Sequence, residues 1–253
     1  MVKKLLMLII LMILFSCSER TTSPTVSAGT MALLEKSKSI QIRAEKVEQN
    51  VRDRYGAYDV LQERKDLVSS IDDDEFIDIE TLSNYFILDM KYATADNFLK
   101  EAVYSCAKCY VRGIVAKALM KANADFMRKG YRIKLFDCYR PHSVQKKMWK
   151  IVPNPGYVAD PKGGSIHNKG AAIDITLTDL KGNQVNMGTE FDHFEKEAHH
   201  AYTKLPKEVI ANRKLLRSTM ENYGFSTIKT EWWHYNFKNN HKFKISNFRW
   251  KCD

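Results

Sequence analysis

The segment "AAIDITL", residues 171–177, limits the fold more than any other stretch of the chain. Side chains alternate along a β-strand, so Ile173, Ile175 and Leu177 share one face while Asp174 and Thr176 share the other. Such a strand needs a sheet with one face on an apolar core, and Asp174 then points away from that core. Taken alone, the carboxylate is an ordinary solvated group. His167 lies seven residues earlier, across "NKG", and Gly170 lets the chain turn back. An imidazole and a carboxylate can therefore meet at one point.

The flanking sequence supplies the other elements. Val111, Ile114, Val115, Ala118, Leu119, Ala122 and Phe126 follow helical spacing, with a stop at Gly130. "YRIKLFDCYRP" reads as a strand ending at Pro141, because the residue before proline is pushed out of the helical region. "HSVQKKMWKIV" resumes a helix, "PKEVIANRKLLRSTMENYG" is a helix closed by Gly224, and "EWWHYNF" is the last strand. Helices and strands without regular βαβ alternation predict an α+β fold, a mainly antiparallel sheet flanked by helices. With no internal repeat, the organisation reads as residues 1–17, a leader; 18–75, a tether and helical extension; and 76–253, one catalytic domain.

The leader has Lys3 and Lys4, an apolar run from Leu5 to Phe15, then Ser16-Cys17. That run is too short for a spanning helix of roughly 20 residues and fits a secretory signal. Cysteine after a small residue resembles a bacterial lipoprotein signal, which would lipidate Cys17 and anchor the chain to a membrane on the periplasmic side. The other cysteines, Cys106, Cys109, Cys138 and Cys252, permit two disulfides in an oxidising compartment, with three connectivities open. A net charge of +10 is moderately basic, but Lys and Arg are spread along the chain and accompany no nucleic-acid-binding pattern, which excludes that class of partner.

His234 completes a set of residues. Two His and one Asp suit Zn²⁺ and leave a tetrahedral position open for water. A carboxylate must then move the proton, and Glu231 is the candidate. Residues three apart face opposite sides of a regular strand, so Glu231 must lie just before the strand or on a bulge. Trp232 and Trp233 read as core and pocket wall. Adjacent helical residues diverge, so His199 and His200 read as structural rather than as a second metal site.

"SIHNKGAAIDITL" and "EWWHYNF" resemble the S-x-H-x-x-G-x-A-x-D and E-x-W-H motifs of the zinc D-Ala-D-Ala peptidases. With "MKYATADNF", "FDCYRP", "GYVAD", "MGTEFDHF" and "NRKLLRSTMENYGF" in order, the chain is similar to the VanX-type D-alanyl-D-alanine dipeptidases. The resemblance implies His167, Asp174 and His234 as ligands of one zinc ion and Glu231 as general base. It implies Arg140 as stabiliser of the charge on the scissile carbonyl oxygen, and Tyr92, Ser165 and Asp192 as substrate contacts, Asp192 at the ammonium. The activity implied is hydrolysis of D-Ala-D-Ala, and an exported enzyme would trim or salvage wall-derived dipeptides in the envelope. The rival readings are a D,D- or L,D-carboxypeptidase acting on stem peptides and a non-catalytic wall-binding lipoprotein.

Overall fold

The chain divides into two compact units, Met1–Glu48 and Gln49–Asp253. The computed structural model describes Glu35 and residues 65–252, so the leader, Cys17 and most of the helical extension lie outside the described residues. A short helix, α1 (Lys65–Ser70), precedes β1 (Phe76–Asp78), which pairs antiparallel with β3 (Tyr110–Arg112). The main sheet has five strands in the order β2 (Ile87–Leu88), β4 (Tyr131–Asp137), β5 (Ala172–Asp179), β7 (His234–Phe237), β6 (Phe225–Thr227). Only β2 and β4 run parallel, so the fold is α+β with a mainly antiparallel sheet.

Three helices accompany the sheet: α2 (Gly113–Arg128), α3 (His142–Ile151) and α4 (Lys207–Asn222). α2 packs on β4, α4 packs on β6, and the two helices touch each other. The facing stripe of α2 is Val115, Leu119, Ala122 and Phe126, all fully buried. Helical spacing from Val111 predicts an earlier start. Val111 instead pairs with Ile77 across the small sheet, and the helix begins at Gly113. A Cβ at Gly113 would stand 1.9 Å from the Asp72 carbonyl oxygen, so only glycine lets the helix start against that backbone.

Register assigns the sheet faces. Ile133 lies opposite Leu177, Leu135 opposite Ile175, and Ile173 opposite Tyr235, all fully buried on the core face. The alternation expected for β5 therefore holds. Its second face, however, is not solvated: Asp174, Thr176 and Thr178 are buried too. After β5 the chain turns at Gly182 and returns, Val185 N–H donating to the Leu177 carbonyl. The following segment covers the second face, with Phe191 packed on Phe136 at 4.8 Å and on Trp233 at 5.5 Å.

One irregularity matters most. Leu135 pairs with Ile175, but the next pair is Asp137 with Asp174, so β4 spends two residues where β5 spends one. This β-bulge turns Asp137 to the second face, into a row with Asp174 and His234 across three strands.

Both members of the C-x-x-C pair form long-range disulfides: Cys109 with Cys138 and Cys106 with Cys252. The second fastens a segment that the sequence does not announce as an element. Residues 243–252 run as an irregular strap, with Phe248 stacked on Phe76 at 5.0 Å and Trp250 on Tyr110 at 5.6 Å. Ser246 N–H donates to the Asn168 carbonyl, and the Ser246 carbonyl accepts from His142 N–H. Replacing Cys106 and Cys252 by serine is expected to lower the stability measured by urea unfolding by about 3–5 kcal/mol, the larger end following from the 146-residue separation. An unchanged unfolding midpoint would contradict this.

Candidate active site

β5 and β7 supply Asp174 and His234, which lie directly opposite each other in register. His167 arrives from a 3-10 turn, Ile166–Lys169, that the local sequence builds almost unaided. Ser165 Oγ accepts from His167 N–H at 3.2 Å while Asn168 Oδ1 accepts from Ser165 N–H at 2.7 Å, a reciprocal capping box. The turn closes at Gly170, with φ of +71°, where a Cβ would meet the Phe76 ring at 2.5 Å.

Three atoms converge. His167 Nε2 is 3.2 Å from His234 Nδ1, His234 Nδ1 is 2.9 Å from Asp174 Oδ1, and His167 Nε2 is 3.5 Å from Asp174 Oδ1. Their outer partners settle how the rings carry their protons. A carbonyl only accepts, so His167 Nδ1 donates to the Cys138 carbonyl at 2.7 Å and leaves Nε2 as a lone pair. His234 Nε2 lies 2.9 Å from Asn236 Oδ1, which leaves Nδ1 to face inward. Bonds of about 2.0–2.1 Å to a tetrahedral zinc put its ligands roughly 3.3 Å apart, and the triangle of this site fits that spacing. Among the described residues His167, Asp174 and His234 are the group able to hold a metal ion.

Burial opposes a charge on His234, but the hydrogen bond and charge of Asp174 outweigh it and raise its pKa to about 9. Burial also opposes the charge on Asp174, and the two imidazoles override it and lower its pKa.

All eight residues expected at the site, Tyr92, Arg140, Ser165, His167, Asp174, Asp192, Glu231 and His234, line one cavity of about 320 Å³. Glu231 precedes β7, as the parity argument requires, and its Oε2 is 3.9 Å from His234 Nδ1. The expectation of a strand over all of "EWWHYNF" is corrected: it is regular only from His234. Trp233 lines the cavity, while Trp232 is buried behind it with its indole N–H on Thr189 Oγ1. Burial raises the pKa of Glu231, with the Asp174 charge adding to it and His234 opposing it. Tyr92 donates to the Asp192 carboxylate at 3.1 Å, and Asp192 sits at a φ of +61°. Burial and the Asp174 charge push its pKa well above the usual carboxylate range, a site that gains from a cationic ligand. The 3-10 turn that follows, Lys196–Ala198, has Glu195 rather than Asp192 at its N-cap.

Asp137, Gln145, Asn168 and Asn236 escape the sequence reading. Asn168 had a signal, standing three residues after Ser165 in a capping-box pattern. The others depend on register and bulge, which local spacing does not carry.

A family model described as D-ala-D-ala dipeptidase matches residues 72–249. The D-alanyl-D-alanine dipeptidase of Escherichia coli is 35% identical over 164 residues, covering 65% of this chain and 85% of that protein. The protein of the same name from Enterococcus faecium is 35% identical over 171 residues, covering 58% and 83%. That from Streptomyces coelicolor is 30% identical over 188 residues, covering 65% and 92%.

His199 and His200 line no part of the cavity. His200 N–H donates to the Lys229 carbonyl, supporting the segment that leads to Glu231. Burial, with the Arg217 and Arg213 charges nearby, pushes the His200 pKa down to about 4. A histidine depressed in the folded state contributes fully above its unfolded pKa of about 6.5, and that contribution is lost as pH falls toward 4. Urea stability should therefore decline over this window, and His200→Gln should flatten that part of the profile. An equal decline in the variant would contradict the assignment.

Proposed function

The chain belongs to the D-ala-D-ala dipeptidase family of metallopeptidases, and from that premise we propose that it is a zinc enzyme hydrolysing D-alanyl-D-alanine in the cell envelope. The observation that carries the reading is the meeting of three metal-ligand atoms with Glu231, Arg140 and the Tyr92–Asp192 pair in one small cavity. A zinc ion held by His167, Asp174 and His234 would polarise the peptide carbonyl and make water acidic enough to react near neutral pH. Arg140 faces the same carbonyl oxygen and stabilises the charge that develops there. Glu231 takes the proton of the attacking water and returns it to the departing amine. Asp192, braced by Tyr92, receives the substrate ammonium. The Ser165 hydroxyl oxygen is engaged in the cap, and its proton is available to the substrate.

A volume of about 320 Å³ is near the small end of ligand cavities, about 300–1,000 Å³, and a buried carboxylate at the amine end suits a free dipeptide better than a stem peptide. The Lys3-Lys4 and Leu5–Phe15 leader before Cys17 supports export and a lipid anchor, and four cysteines joined in two disulfides fit an oxidising compartment. The reaction in that location would trim or salvage wall-derived dipeptides.

Purified protein should hydrolyse D-Ala-D-Ala, lose that activity to a chelator, and regain it with zinc. Glu231→Gln should keep its zinc and lose kcat by about 10²–10⁴-fold. Wild-type turnover in that variant would remove Glu231 as the base, and faster cleavage of a muramyl pentapeptide would favour a carboxypeptidase. Cys17→Ser should move the protein from the membrane fraction to the soluble fraction, and unchanged fractionation would refute the anchor.

A further inference from the structure

We propose that Asp137 is a positioning residue that holds the Arg140 guanidinium aimed at the reacting carbonyl, an inference that rests on the functional reading of Arg140. Asp137 is fully buried and does not line the cavity, so it acts only through its neighbours. Its Oδ2 accepts from Arg140 Nε at 3.2 Å and Nη2 at 2.6 Å. Its Oδ1 accepts from the Tyr104 hydroxyl at 2.5 Å and from Cys138 N–H at 2.9 Å. Four donors thus fix the plane of the carboxylate before it fixes anything else. Gln145 Oε1 takes a third guanidinium N–H, from Nη1 at 3.0 Å, and is itself tied through Nε2 to the Ala159 carbonyl.

A guanidinium has five N–H donors. Three are engaged here, which leaves one on each terminal nitrogen, and Arg140 lines the cavity. The backbone is held too, Arg140 N–H donating to the His167 carbonyl and the Arg140 carbonyl accepting from Asn168 Nδ2. A donor already oriented does not have to reorganise as charge develops on the substrate oxygen, which is what makes such groups effective. Stability alone is a poor account of the pair, since apolar residues of similar volume commonly replace buried ion pairs without loss.

The test is a double-mutant cycle on the zinc-loaded enzyme with D-Ala-D-Ala. Asp137→Asn should lower kcat by about 10–100-fold, with KM within about threefold and zinc content unchanged. In an Arg140→Ala background the same substitution should change kcat by less than about threefold, because its target is gone. Equal losses in both backgrounds, or wild-type kcat in Asp137→Asn, overturn the proposal. Asp137 Oδ2 also lies 3.5 Å from His167 Nδ1. Loss of zinc with unchanged turnover per bound zinc would assign the effect to that histidine and equally overturn it. Should Asp137→Asn not fold, Tyr104→Phe, which removes one brace of the carboxylate, enters the same cycle, with non-additive loss expected and additive loss decisive against. An Arg140→Ala enzyme as fast as wild type would refute the reading of Arg140 itself, whereas additive losses refute only the role of Asp137.

Discussion

Three acceptor atoms, His167 Nε2, His234 Nδ1 and Asp174 Oδ1, face one another across about 3 Å in a buried pocket, and they repel unless something positive sits among them. Everything nearby serves to keep them from parting. The outer nitrogen of each imidazole is engaged, one by the Cys138 carbonyl and the other by Asn236, so neither ring can rotate to a more comfortable direction. Asp174 and His234 are locked opposite each other by the ladder between β5 and β7. A proton can occupy the centre when nothing else does, and a divalent cation suits it better.

The scaffold reaches this point from several directions. The disulfide at Cys138 ties the strand end that carries Asp137 and Arg140 to the segment beside β3, and the Cys138 carbonyl directs His167. The strap fastened at Cys252 reaches the other side of the same turn through Ser246 and Asn168. Trp250 lies against Tyr104, the residue that braces Asp137. Stability and alignment of the site thus draw on the same contacts, although the strap is remote in sequence from His167 and Asp174.

How much of this could be read from the residues depends on the range of the interaction. The alternation of Ile173, Ile175 and Leu177 and the turn at Gly170 are local, and both hold. The position of Glu231 ahead of β7 follows from strand parity alone. Tyr92 and Asp192 meet across 100 residues, and here only family motifs brought them together on the page. Val111 looked helical because apolar spacing cannot tell a strand that ends at Gly113 from a first helical turn. Disulfide pairing, the roof over Asp174 and the strap are set by contacts between distant segments, which leave no periodic trace.

The bulge at Phe136 and Asp137 shows a different kind of constraint. Phe136 packs on Phe191, and another apolar ring or aliphatic chain could fill much of that space. The pairing between Leu135 and Asp137 has no such latitude. If β4 paired regularly with β5 at its present length, Phe136 would stand opposite Asp174, Asp137 would turn into the apolar layer beneath the sheet, and Arg140 would lose its carboxylate. Here the register, rather than the identity of an apolar side chain, decides which face the carboxylate meets.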